Sequence, residues 1–209
     1  MADKWNVALI DDDEAILDSV QLYLRRKGFA VRCFQSANAF LDALDAGCAF
    51  DCVVSDVKMP GISGLDLQRS LTNRSERIPL VLITAHGDVD MAVSTIKAGA
   101  FDFIEKPIDG RRLSLSLNEA IRRNREKLAD EREITALRKR HGELSGRQQQ
   151  VVSLAVQGLS NKEIAVRLNL SPRTVEHYRE SAMERMQARS LAELVHMAVR
   201  LTILRSPPA

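Results

Sequence analysis

Apolar positions follow two different patterns along the chain. In the first half they form short runs at Val7–Ile10, Val31–Phe34, Cys52–Ser55, Leu80–Thr84 and Phe101–Ile104, with Arg32 and Asp102 inside the second and fifth. Most of these residues are β-branched or aromatic, which suits strands buried on both faces. Between the runs the spacing turns helical. Ile16, Val20 and Tyr23–Leu24 share one face. So do Phe40, Leu41 and Leu44, and then Leu65, Leu67 and Leu71 after Gly64. A fourth helix is predicted around Met91–Ala98, ending at Gly99, a residue that commonly caps helices. Strand and helix alternating five times in about 120 residues predict a doubly wound five-stranded parallel sheet. Its functional crevice should lie at the carboxyl ends of the strands.

The polar residues fall at those ends. Ile10 runs into Asp11, Asp12, Asp13 and Glu14; Ser55 into Asp56; the fourth run ends in Thr84; the fifth leads to Lys106 and Pro107. In one parallel sheet these groups converge on a single rim. Two unit charges ~4 Å apart repel by about 1 kcal/mol in water and about 4 kcal/mol at an effective dielectric of 20. A hard divalent cation removes that penalty. Oxygen ligands alone suit Mg²⁺, which binds through carboxylates together with a phosphate. A carboxylate beside such an ion can act as nucleophile and form an acyl phosphate. Thr84 offers a hydroxyl and Lys106 a compact positive charge for phosphoryl oxygens. Asp13 and Glu14 also suit a helix N-terminus.

From Asp109 to Arg140 the chain has no proline, and after Gly110 no glycine until Gly142. Arg, Lys, Glu, Ala and Leu dominate, which predicts one long helix. Its apolar stripe of Ile121, Leu128, Ile134 and Leu137 is sparse and interrupted by Asn124 and Glu131. A solvated connector held by i,i+4 pairs such as Arg122–Glu126 fits this better than a dimer seam.

The last third reads as helices only. Val151, Val152, Leu154, Ala155 and Leu159 form an amphipathic stretch. Ser160–Leu168 is a capped short helix, Asn169–Ser171 a turn, and Pro172 the first residue of a helix running to about Met186. In that helix Val175, Tyr178, Ala182 and Met186 share the inner face. Arg173, Glu176, His177 and Glu180 point the other way, with Thr174, Arg179 and Arg185 on the flanks. Arg and His donate to guanine and Glu accepts from the cytosine amino group, while flanking Arg and Thr grip phosphates. Lys162, on the preceding helix, is a further phosphate contact. Two acids on the reading face weaken general attraction to DNA, so they argue for base selection. The helix after Ser190, with Leu194, Met197, Leu201 and Leu204, is expected to offer a second dimer contact.

Charge follows the same division. Residues 1–118 carry 13 basic and 17 acidic side chains, residues 119–142 carry 8 and 5, and residues 143–209 carry 9 and 6. An acidic front suits a cation and a basic back suits a phosphate-rich partner. No apolar run reaches the length of a membrane span, and the first residues do not form a signal peptide. Cys33, Cys48 and Cys52 contain no Cys-x-x-Cys pair and are expected to be reduced thiols of a cytoplasmic protein.

The runs Ile-Asp-Asp-Asp, Asp56-Val-Lys-Met-Pro-Gly, Ile-Thr84-Ala-His-Gly and Lys106-Pro107 resemble the receiver domain of two-component response regulators, over residues 1–121. Gly-Leu-Ser-Asn-Lys-Glu-Ile-Ala, Leu-Ser-Pro-Arg-Thr-Val-Glu and Ala-Arg-Ser-Leu-Ala-Glu-Leu-Val resemble the LuxR-type helix-turn-helix domain, over residues 143–209. With a helical linker at 122–142, this is the architecture of the NarL/FixJ family, and it most resembles the FixJ branch. The resemblance implies a flavodoxin-like receiver joined to an all-α DNA-binding domain. It also implies phosphorylation of Asp56 by a sensor histidine kinase. Mg²⁺ (or Mn²⁺) would be held by Asp11, Asp12, Asp56 and the carbonyl of Lys58. Thr84 and Lys106 would bind phosphoryl oxygens, and Phe103 would be the switch aromatic beside Thr84. The phosphorylated protein is expected to form a homodimer, bind promoter DNA, act on RNA polymerase, stay off the membrane and serve as no metabolic enzyme. A phosphorylation-independent pseudo-receiver regulator is one competing reading, against which the intact acidic and basic residues count. An aspartyl-phosphate phosphohydrolase is another, opposed by Lys58, which stands where such an enzyme carries a second Asp.

Overall fold

The computed structural model describes residues 5–74, 76–85, 96 and 99–203. The expected helix at Met91–Ala98, the segment from His86 onward in the Thr84 motif, and Leu204 therefore fall almost wholly outside the described residues. The chain divides into two compact units, Met1–Glu126 and Lys127–Ala209.

In the first unit, strands β1 (Asn6–Ile10), β2 (Ala30–Phe34), β3 (Cys52–Asp56), β4 (Leu80–Thr84) and β5 (Asp102–Glu105) form one sheet. All neighbours are parallel, in the order β2-β1-β3-β4-β5. Every residue of β3 and β4 is buried, because successive side chains serve opposite layers. Val7 and Leu9 of β1 pack with Val54, Val81 and Ile83 under helix α1 (Glu14–Arg26) and the start of the helix Gly110–Gly142. Ala8, Ile10, Val53 and Leu82 pack on the other face against α2 (Ala37–Asp45) and α3 (Gly64–Asn73). The continuous apolar runs of β1, β3 and β4 follow from lying in a middle layer.

Helix starts are set by side chains that accept orphan backbone amides. Asp13 accepts from the Ala15 amide, Ser36 from Ala39 and Ser63 from Asp66. Phe40 is completely buried and stands edge-on to Phe34, with ring centroids 5.6 Å apart.

The long helix predicted after Asp109 is continuous from Gly110 to Gly142, and is designated α4. Leu113, Leu117 and Ile121 belong to the core of the first unit. Leu137 belongs to that of the second. Helices α5 (Gly146–Val156), α6 (Asn161–Leu168), α7 (Pro172–Met186) and α8 (Leu191–Ile203) complete the second unit. Capping boxes at Ser145/Gln148 and Ser160/Glu163 start α5 and α6. Arg200 of α8 forms ion pairs with Asp130 (2.7 Å) and Glu133 (2.6 Å) on α4.

One expectation is corrected here. Leu194 is 1% exposed, and Met197 and Leu201 pack on the same core. Leu194 therefore serves the unit's own interior and is not part of a spare apolar face, while Met197 and Leu201 are only partly buried. The reason is that α8 packs against α5 and α7, with Leu137 of α4 joining the same cluster. Among the described residues, no helix is long and apolar enough to cross a membrane.

Candidate functional site

The sheet order reverses direction between β1 and β3, so the loops leaving these strands diverge and open a crevice between them. Register then decides which side chains meet. Ile10 lies opposite Ser55 and Asp56 opposite Ile83. The next residues along, Asp11 and Thr84, therefore stand at the same rim as Asp56. Lys106 follows β5, and its amide donates to the Thr84 carbonyl at 2.7 Å. The carboxylate oxygens of Asp11, Asp12 and Asp56 lie within 4.8 Å of one another.

These groups differ in exposure. Asp11 and Thr84 are each 1% exposed and Asp56 7%, whereas Asp12 faces solvent. The Lys106 ammonium is 2.9 Å from Asp11 Oδ2 and 3.4 Å from Asp56 Oδ2. The other Asp11 oxygen accepts the Asp13 amide at 3.0 Å, and Asp56 Oδ1 accepts the Val57 amide at 2.9 Å. Burial pushes the Asp56 carboxyl above its usual range; Lys106 pulls it down, and the charge of Asp11 pushes it up again. Burial alone would lower the Lys106 ammonium, but its hydrogen bond and charge contact with Asp11, with the charge of Asp56 added, raise it. One lysine thus compensates two nearby carboxylates only in part, which leaves a surplus of negative charge at the rim.

Lys58 is exposed on the loop after Asp56. Phe103 is half-buried in β5, opposite Leu82, and its carbonyl accepts from Arg112 at 3.0 Å. Gly64 was expected only to precede the third helix, not to contribute to the site. A β-carbon there would lie 2.4 Å from the Asp56 carbonyl oxygen and 2.8 Å from Leu82. The start of α3 therefore presses on the backbone that carries Asp56. The signal in the sequence was the glycine at the first helical position, where Ser63 alone does the capping.

In the second unit, Asn169 adopts a left-handed conformation (φ 55°, ψ 52°) that turns the chain sharply from α6. Ser171 caps α7 and Pro172 begins it. Val175, Ala182 and Met186 are buried, with Tyr178 packed beside them. Arg173, Glu176, His177 and Glu180 are exposed, as is Lys162 on α6. Three of the expected contacts are engaged within the unit. Thr174 shares a 2.7 Å hydrogen bond with Ser171, Arg179 donates to Asn161 at 3.2 Å, and Arg185 donates to the Glu143 carbonyl at 3.0 Å. Asn161, which steadies Arg179 from α6, was not anticipated.

A buried acidic cluster at the switch point of a 2-1-3-4-5 sheet, and a capped helix pair with an exposed polar face, thus occur in one chain. Residues 7–118 match the response regulator receiver domain, and residues 142–198 match the bacterial regulatory proteins of the luxR family. The chain belongs to the response regulators. It is 43% identical over 204 residues to the transcriptional regulatory protein FixJ of Bradyrhizobium diazoefficiens, covering 98% of this chain and 99% of that one. It is 44% identical to FixJ of Azorhizobium caulinodans, covering 95% and 94%. Among solved structures, the response regulator StyR superposes with a TM-score of 0.81 at 37% identity, covering 95% of this chain and all of that one. Full-length FixJ from B. japonicum superposes with a TM-score of 0.61 at 43% identity, covering 96% and 98%. This response regulator is therefore FixJ-like in both halves, a receiver and a LuxR-type DNA-binding domain. Its family acts with histidine kinases and regulates transcription.

Proposed function

We propose that Asp56 is the phosphoacceptor and that its phosphorylation controls promoter binding through α7. A partner histidine kinase presents a phosphorylated imidazole. An Asp56 carboxylate oxygen attacks phosphorus, the P–O bond forms as the P–N bond breaks, and the imidazole nitrogen leaves with the electron pair and takes up a proton. The Asp56 oxygen facing Lys106 is the nucleophile this reading favours, since the other is held by the Val57 amide. Lys106 and the Thr84 hydroxyl would then hold phosphoryl oxygens as their charge develops.

The rim carries an all-oxygen donor set with more acid than Lys106 offsets, which fits Mg²⁺ or Mn²⁺. Asp11, Asp12, Asp56 and the Lys58 carbonyl would hold the ion, which supplies charge neutralisation for the incoming phosphoryl group. Movement of Thr84 and Phe103 toward that group would change the self-affinity of the receiver surface. The phosphorylated protein would then pair, bind promoter DNA in the cytoplasm and act on RNA polymerase.

On α7, Glu176, His177 and Glu180 would select bases, while Arg173, Thr174, Arg179 and Arg185, with Lys162 of α6, would contact phosphates. Arg179 and Arg185 use one guanidinium nitrogen each inside the unit, so their grip on DNA would be positioned in advance. The convergence of Asp11, Asp12, Asp56 and Lys106 is the observation that carries this reading.

The test is phosphorylation with a small acyl phosphate and Mg²⁺, read as a mass increase of about 80 Da, one phosphoryl group, on the intact chain. Wild type should be labelled and Asp56→Asn should not. Equal labelling of the two would remove Asp56 as acceptor, and no labelling of either would favour a pseudo-receiver.

A further inference from the structure

The second unit contains an open cavity of about 1020 Å³ that the DNA-facing side of α7 does not use. Its floor is apolar: Val152 and Leu154 of α5, Met186 at the end of α7, and Leu194 of α8 line it. Two of the lining side chains are cationic, Arg138 and Arg167, and among the described residues no Asp or Glu lines it. Both arginines are exposed, so their charges sit at the rim while the aliphatic side chains form the interior. Among the described residues, neither guanidinium has a hydrogen-bond or ion-pair partner, unlike Arg122, Arg185 and Arg200.

An apolar interior excludes a ligand that is charged throughout, since burying unpaired charge is costly. A rim of one sign favours a head group of the other, and guanidinium matches a carboxylate in two-point geometry. The volume stands at the upper end of ordinary small-molecule pockets, enough for a chain of about ten carbons. We propose that this cavity binds an aliphatic carboxylate, with its chain against Val152, Leu154 and Leu194 and its head group at Arg138 and Arg167. Such a ligand touches Met186, the last residue of α7, and so would act on the DNA-binding unit directly, independently of Asp56.

The experiment is calorimetric titration of the full, unphosphorylated chain with decanoate, octanoate and decanol. One decanoate per chain should bind. Each buried methylene is worth about fourfold in affinity, so octanoate should bind roughly 15-fold more weakly. Decanol, which lacks the charge, should bind about tenfold more weakly than decanoate. The double variant Arg138→Gln/Arg167→Gln should lower decanoate affinity to about that of decanol, by the same loss of charge pairing, and leave decanol unchanged. Ser153→Phe, at an exposed lining position, should block both ligands while preserving the thermal transition. The proposal fails if decanoate does not bind saturably, if chain length has no effect, or if the double variant binds as wild type does. It also fails if a chain ending at Ile203 binds decanoate where the full chain does not, since residues 204–209 would then be the occupant. Loss of decanoate binding on self-association, seen by sedimentation, would assign the cavity to a second copy and equally overturn it.

Discussion

Asp11, Asp56 and Thr84 at the receiver rim are almost wholly buried, whereas Glu176, His177 and Glu180 on α7 are all exposed. Both groups bear charge, and their surroundings treat it oppositely. At the rim, low dielectric strengthens every charge contact, and carboxylates sit close to one another with a single lysine between them. On α7 Glu176, His177 and Glu180 stand in water, where a charged group does little until a partner displaces the solvent. A group-transfer site needs its charges gathered before the reactant arrives; a reading face needs them unspent. The supporting chemistry divides in the same way. The rim is held by strand register and the Gly64 contact, and α7 by the Ser171 cap, the left-handed Asn169 and the Asn161–Arg179 bond.

The contrast is broken most sharply by Lys106→Ala. Removing the one cation that, among the described residues, lies near buried Asp11 and Asp56 should lower the stability of the receiver by about 3 kcal/mol without added metal, the scale of breaking a buried pair. Millimolar Mg²⁺ should restore part of it. Urea unfolding of the wild type and variant, with and without Mg²⁺, checks both statements; a loss below about 0.5 kcal/mol would mean the rim charges are solvated like those of α7. In the other direction, Glu176→Ala should change folding stability by less than about 0.5 kcal/mol. It should nevertheless alter preference at one operator position by about 1–3 kcal/mol, read by competition among single-base operator variants. An unaltered profile at every position would remove Glu176 as a reader.

The smallest effect concerns an exposed cluster on α4. Hydrogen bonds from Arg122 and Arg123 hold the Glu119 carboxyl down to about 2. A folded-state pKa below the unfolded one contributes stability above the unfolded value, and this is lost as pH falls through the folded one. The difference in urea midpoint between wild type and Glu119→Gln should therefore be present at about pH 6 and shrink by about pH 3. A gap that stayed constant over that range would show the hydrogen bonds to be energetically idle in solution.

Much of this was legible in the residues themselves. The short apolar runs located all five strands to within about a residue or two; the central β1, β3 and β4 are buried on both faces nearly throughout, while the edge strands β2 and β5 carry Arg32 and Asp102. Polar residues at their ends located the rim, since parallel strands place all carboxyl ends together. Ser160, Ser171 and Pro172 marked the starts of α6 and α7 for local reasons that need no tertiary contact. What was not legible depended on distant packing. The burial of Leu194 follows from the packing of α8 against α5 and α7, which α8's own periodicity does not encode. The close approach of Gly64 to the Asp56 carbonyl is likewise a contact between α3 and β3. The anchoring of Arg179 and Arg185 depends on acceptors 18 and 42 residues away.

The central claim is that chemistry gathered at Asp56 acts on the exposed face of α7 through pairing of two copies. The most direct measurement compares phosphorylated and unphosphorylated full-length protein on DNA carrying one half-site and on DNA carrying two, with sedimentation of both forms. Phosphorylation should shift monomer toward dimer and raise affinity for the double site about 5–150-fold, the usual scale of such coupling, while single-site affinity stays the same. If single-site affinity rose by a similar factor with no dimer formed, phosphorylation would be unmasking or reshaping α7 itself, and the account would be wrong.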